Sequence, residues 1–203
     1  MISAAVTGGI ASGKTQVLRV ARGFPEAKTL QADDLAKEIY SPDNPHFEEV
    51  VDILGTEILN DRGEIDLESV AEKVFSDGEL LKKLEEIAHP YVRERIKTLM
   101  VEYENRGTEL FLVEIPLLFQ SASVETNSFD RIILVTAEEN LRIERLMERD
   151  GVSETMARKR VQLQKLPRNA REESDFVVEA DGSIEETRRK AEEIIRTMLN
   201  QLS

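Results

Sequence analysis

The chain has 203 residues, of which 40% are hydrophobic and 33% charged, with a net charge of -13 and a mean hydropathy of -0.35. This length suits one α/β domain with a smaller insertion, and so acidic a surface argues against holding nucleic acid by the molecule as a whole. The absence of cysteine excludes disulfides, thiolate zinc sites and thiol catalysis. No apolar run approaches membrane-spanning length, and the first residues lead directly into a strand, leaving no room for a signal peptide. A cytoplasmic protein with no membrane partner is the expectation.

Taken in order, Ile2 to Thr7 reads as a short apolar strand. It runs into Gly8-Gly9-Ile10-Ala11-Ser12-Gly13-Lys14-Thr15, a full match to G-x-x-x-x-G-K-[ST]. Val17, Leu18, Val20 and Ala21 then recur at helical spacing until Gly23-Phe24-Pro25. Lys28 to Ala32 is a second strand, ending at Asp33-Asp34, with a helix following through Leu35, Ile39 and Tyr40. Phe47, Val50, Val51 and Leu54 mark another helix, and Asp66 is placed to cap one carrying Leu67, Val70, Val74 and Phe75. A long amphipathic pattern runs from Leu80 to about Tyr103, which Pro90 should bend or divide. Residues 34–107 therefore form a helical insertion.

Glu109 to Ile115 is nearly all apolar, as expected of a central strand in a parallel sheet. Arg131 to Thr136 and Asp175 to Glu179 are the fourth and fifth strands. Helical stretches at about 138–149 and 153–166 lie between them, and Ser183 to Glu186 is a capping box for the last helix. The pattern predicts one domain: a P-loop type, doubly wound parallel sheet of five strands with core residues 1–33, 108–137 and 172–203. The helical insertion and an arginine-rich lid over 138–171 complete it.

The strand, glycine-rich turn and helix make a nucleotide-phosphate site. Gly8, Gly9, Ala11, Ser12, Gly13 and Gln16 belong to a loop whose backbone N–H groups converge on an anion at a helix N-terminus. Lys14, expected in a solvent-facing loop, would reach the β- and γ-phosphates of ATP, and the Thr15 hydroxyl would ligate Mg²⁺. Glu114, ending the third strand, is the counterpart of an acid that polarises the metal shell. Asp33, at the ligand-binding edge, suits either a base and metal partner or a helix cap. From Arg142 to Arg171 stand nine bases and four acids, a local excess of +5. Arg142, Arg145 and Arg149 lie along one helical face, either as a solvated surface or as a lid over a triphosphate. Behind a P-loop in so acidic a chain, the lid is favoured. No cluster of His, Asp and Glu has metal-ligand spacing, so a metal should arrive with ATP. Neither an N-K-x-D guanine motif nor a G-x-G-x-x-G fingerprint occurs.

With these motifs in this order, the chain resembles the dephospho-CoA kinase family nearly end to end. The resemblance rests on the P-loop, Ala32-Asp33, Leu54-Gly55, Asn60 to Gly63 and Val74-Phe75. More specific are Leu84-Glu85-Glu86-Ile87-Ala88-His89-Pro90 with Arg93, and Glu114-Ile115-Pro116-Leu117-Leu118-Phe119. Arg145 to Gln164, with Arg149 and Arg160, is similar to the family's lid. Six positions depart from the family pattern: Ala11 for glycine, Gln16 for threonine, Glu114 for aspartate, Gln120 for glutamate, Arg142 for glutamine and Ala180 for asparagine. The resemblance implies transfer of the ATP γ-phosphoryl to the ribose 3′-hydroxyl of dephospho-CoA. It further implies Asp33 as base, Lys14, Arg145 and Arg149 at the phosphoryl group, and Asp33, His89, Arg93, Leu118 and Arg160 toward the acceptor. A kinase of another hydroxyl acceptor and a nucleotide-gated switch are the alternatives.

Overall fold

A computed structural model describes residues 1–116, 118–120 and 125–202. Leu117, within the P-L-L-F run, lies outside the described residues. The chain divides into two compact units, residues 1–31 with 99–203, and residues 32–98.

The first unit is built on five parallel strands, β1 (Ile2–Thr7), β2 (Ala27–Gln31), β3 (Leu110–Glu114), β4 (Arg131–Thr136) and β5 (Phe176–Glu179). They lie in the order β2-β3-β1-β4-β5, so the crossovers put the ends of all five strands on one edge. Every residue of β3 is buried and β1 is buried from Ser3 onward, which is why these strands read as continuous apolar runs instead of alternating ones. The register matters for the site: Glu114 pairs with Gln31 on one side and with Val6 on the other. Asp130 fixes the opposite end of β1, accepting from Ser3 N at 2.8 Å and Ser3 Oγ at 2.7 Å.

Helix α1 (Lys14–Ala21) follows the P-loop. Val17, Leu18 and Ala21 bury against Ala4, Val6, Leu112 and Ile133 of the sheet, and Ala191, Ile195 and Met198 of the C-terminal helix join the same core. At 25 cal/mol per Å², each such aliphatic side chain contributes about 1.5–3 kcal/mol, so this face anchors the loop that precedes it.

The unit of residues 32–98 holds α2 (Ala32–Lys37), α3 (Phe47–Leu54), α4 (Leu67–Ser76) and most of α5 (Gly78–Asn105). Asp66 caps α4 as predicted, accepting from Glu68 N at 3.3 Å and Ser69 N at 3.2 Å. The apolar face of α5 closes a core of Ile39, Val50, Leu54, Ile58, Val70, Leu84 and Ile87. Of the two expected outcomes, division does not occur: Pro90 lies inside this helix. Proline removes the bond to the carbonyl of Glu86, but both residues are exposed, so water can take that carbonyl. Buried Ile87 and Val92 hold the helix on either side.

Returning to the first unit, α6 (Glu139–Asp150) and α7 (Glu154–Leu163) connect β4 to β5, and α8 (Ile184–Asn200) ends the chain. The predicted capping box of α8 is present, with Glu186 N donating to Ser183 Oγ at 3.1 Å and Ser183 N to Glu186 Oε2 at 2.8 Å. Helix α7 stops at Leu163, short of the expected 166, and Gln164 is its C-cap.

Candidate active site

The P-loop turns from β1 into α1 by way of three left-handed residues, Gly8 (φ 149°), Ala11 (φ 58°) and Gly13 (φ 103°). A Cβ on Gly8 would overlap the carbonyl oxygen of Val135, and one on Gly9 would overlap the guanidinium of Arg142. Gly8 is thus required by close approach to backbone as well as by dihedral, whereas at Gly9 the overlap is with the end of a side chain. Ala11 takes the left-handed conformation that a glycine adopts without cost, a strain of roughly 1–2 kcal/mol. Its side chain, with that of Ile10, packs against Ile143, Leu146, Ala157 and Val161 of α6 and α7.

Gly13 precedes α1 with no side-chain cap, and an uncapped helix N-terminus suits an anion. Ser12 Oγ is buried with no hydrogen-bond partner among the described residues. A loop of this form, with glycines that leave no room for Cβ atoms and an orphaned hydroxyl, fits a polyphosphate.

Lys14 is buried rather than solvent-facing, with 7% exposure. Its Nζ donates to Gly8 O at 2.9 Å and Gly9 O at 3.1 Å, and lies 4.0 Å from Glu114 Oε1. The stem of the lysine is covered because the loop wraps around it, which a linear pattern does not reveal. The other Glu114 oxygen accepts from Gln31 Nε2 at 3.2 Å, a neighbour that the β2/β3 register supplies and sequence reading missed. Thr15 is exposed in the first turn of α1. Thr15 and Glu114 offer the hard oxygen donors that Mg²⁺ prefers. Among the described residues, no group of three or more His, Cys, Asp and Glu side chains could hold a metal by itself. Gln16 is held by α8, its Oε1 accepting from Arg188 Nε at 2.9 Å.

The three arginines of α6 have distinct surroundings. Arg142 is buried, donates from Nη2 to Val161 O at 3.4 Å, and reaches the P-loop at Gly9. Burial pushes its guanidinium below the ordinary value, with Glu139 opposing. Arg145 instead donates to Ala180 O at 2.7 Å, and the Ala180 side chain stands 3.4 Å from a Cβ built on Gly13. Arg149 and Arg160 converge on Asp150, at 2.6 Å and 3.0 Å. The hydrogen bond from Arg149 holds the Asp150 carboxyl below the usual aspartate range. Leu118 is buried, with 2% exposure.

In the other unit, Asp33 sits in the first turn of α2, not at the end of β2, which stops at Gln31. It is exposed, and its charge lies at the favourable end of the helix dipole. His89 and Arg93 are half-buried and one turn apart on α5, so they share a face. On the same helix Tyr91 Oη donates to Glu38 Oε2 at 2.5 Å, and Arg95 Nε binds that oxygen at 3.1 Å. His46, to which the sequence assigned nothing, stands edge-on to Tyr91 with ring centroids 5.7 Å apart.

Fold and loop together define a P-loop nucleotide-binding protein of the small-kinase type. A family model described as dephospho-CoA kinase matches residues 2–186. A curated dephospho-CoA kinase of Bacillus cereus is 34% identical over 191 residues, covering 94% of each chain. Among solved structures, the Thermus thermophilus protein TT1252 superposes with a TM-score of 0.76 at 31% identity, covering 100% of this chain and 98% of that one. The dephospho-CoA kinase of Campylobacter jejuni, 24% identical, shares the fold with a TM-score of 0.73 over 99% of this chain and 98% of its own. This chain belongs to the dephospho-CoA kinase family.

Proposed function

We propose that the chain transfers the γ-phosphoryl group of ATP to the ribose 3′-hydroxyl of 3′-dephospho-CoA, releasing CoA and ADP, the last step in making coenzyme A. The observation that carries this reading is the family match across residues 2–186, which includes both the P-loop and the whole helical unit.

In this reading the ribose oxygen attacks the γ-phosphorus while the bond to the β,γ-bridging oxygen breaks. Lys14 neutralises charge on the β- and γ-oxygens, and the backbone from Gly8 to Gln16 cradles them. Its burial supports that role, because a charge in a dry site acts more strongly than one in water. Arg145 and Arg149 leave Ala180 O and Asp150 to meet the transferring group. Asp33 accepts the proton from the 3′-hydroxyl, and its exposure leaves it accessible to an acceptor. His89, Arg93, Leu118 and Arg160 belong to the acceptor side. When bound, Mg²⁺ would be held by Thr15 and Glu114 with the phosphates, and would offset charge on the leaving ADP. The partners are small molecules rather than nucleic acid or membrane, in the cytoplasm. Among the described residues, no helix is long and apolar enough to cross a membrane.

ADP release, measured with dephospho-CoA, with shikimate and with no acceptor, tests the reading. Release should depend on dephospho-CoA, and release driven equally by shikimate or occurring with no acceptor would overturn it. For the base, Asp33→Asn should lower kcat by about 10²–10⁴-fold while dephospho-CoA still binds. Full activity in that variant would remove Asp33 from the chemistry.

A further inference from the structure

The α6 arginine that meets the P-loop at Gly9 is Arg142. Arg142 lies against Gly9 so closely that its Cζ would be 3.0 Å from a Cβ built there, with the carbonyl oxygen of Gln164 at 3.3 Å. Gly9 is also the residue whose carbonyl accepts from Lys14 at 3.1 Å. We propose that Arg142 is a second phosphate-binding cation of the P-loop, set over Gly9 by α6 to act with Lys14 on the same triphosphate. The proposal rests on the reading of this loop as the ATP site.

Three observations carry it. First, the residue is more than nine-tenths buried, yet its buried Nε has no hydrogen-bond partner among the described residues and Nη2 has only the 3.4 Å bond to Val161 O. A guanidinium carries five N–H donors, and a buried cation so thinly paired is costly. An anionic oxygen at Gly9 would take the spare donors and offset that cost. Second, burial already depresses the guanidinium's affinity for its proton, and a phosphate beside it would act in the opposite sense.

Third, the arginine's helix is packed on the loop. Ile10 and Ala11 pack on Ile143, Leu146, Ala157 and Val161, so loop and helix share a small core of their own. Arg142 needs no swing of a lid to reach the loop, whereas Arg145 and Arg149 are engaged by Ala180 O and Asp150. The competing role is structural, since the bond to Val161 O makes Arg142 a fastener for the end of α7. Gln120 fastens the same end by donating to Lys165 O.

Calorimetric titration separates the two roles, using the full chain with ADP, inorganic triphosphate and adenosine as probes. Arg142→Gln should weaken ADP and triphosphate about ten- to a hundredfold, the worth of a charge-assisted hydrogen bond, while adenosine changes less than about twofold. The fall of ADP affinity with added salt should also be shallower than in wild type. Should Arg142→Gln fail to fold, Arg142→Lys carries the test, because a point charge cannot reproduce a seated planar fork. It should weaken both phosphate ligands several-fold and spare adenosine. ADP affinity equal to wild type would overturn the proposal. An equal loss for adenosine would also overturn it and leave Arg142 as a fastener. Failure of the wild type itself to bind ADP would overturn the P-loop reading, and this one with it.

Discussion

Lys14, the first residue of α1, and Glu114, the last of β3, form a buried pair, with Nζ 4.0 Å from Oε1 and each residue 7% exposed. Gln31 holds the second carboxylate oxygen from β2, so one helix and two neighbouring strands meet at one charge. A lysine in this setting serves the fold as well as the proposed phosphate site. Lys14→Met, which keeps the apolar stem, should abolish ADP binding and also lower stability by about 1–3 kcal/mol. That is less than the roughly 3–5 kcal/mol of a tight buried pair, because 4.0 Å is a long separation. Adding Glu114→Gln should restore part of the stability and none of the ADP binding. Urea denaturation and calorimetry of the single and double variants check both statements.

Gly8 has no room for a methyl group, since a Cβ would overlap the backbone of Val135 at φ 149°. Backbone cannot yield as a flexible side chain can. Gly8→Ala should therefore cost about 1–3 kcal/mol in urea denaturation, as overpacking does, and should weaken ADP binding as β4 and the loop move apart. Unchanged stability would show that the loop accommodates the methyl elsewhere.

Arg145 and Arg149 are bound in this structure, the first to Ala180 O and the second to Asp150. If they are recruited to the transferring phosphoryl group, alanine at either position should lower kcat on the order of 10²–10³-fold with a smaller change in the KM for ATP. A change confined to KM would make them clamps for the bound nucleotide, and steady-state kinetics separate the two.

The pair of arginines on Asp150 has a pH signature. Arg149, and then Arg160, keeps the folded-state pKa of Asp150 below its ordinary value of 3.8. A depressed carboxyl contributes stability above the unfolded value and loses it as pH falls through the folded one. Wild type should accordingly lose more stability than Asp150→Asn on acidification below about pH 4. Chemical denaturation at pH 6 and pH 3 measures the difference, and parallel losses would show that the arginines do not favour the carboxylate.

Much of this was legible in the chain. The P-loop, the five strands and the caps at Asp66 and Ser183 follow from local rules that tertiary packing reinforces. What local reading missed depends on neighbours distant in sequence. Lys14 is buried because Gly8 and Gly9 fold back over it. Arg142 belonged to a visible arginine stripe, but only the packing of α6 on the loop distinguishes it from Arg145 and Arg149. The departure from the family's glutamine at that position was the one available signal.

The central claim concerns which hydroxyl is phosphorylated. Wild-type protein incubated with ATP, Mg²⁺ and either dephospho-CoA or its 3′-deoxy analogue, with products read by mass spectrometry and ³¹P NMR, addresses it directly. The account predicts one added phosphate on the ribose 3′-oxygen of dephospho-CoA and none on the analogue. Phosphorylation of the 3′-deoxy analogue, or no phosphorylated product from dephospho-CoA, would contradict it.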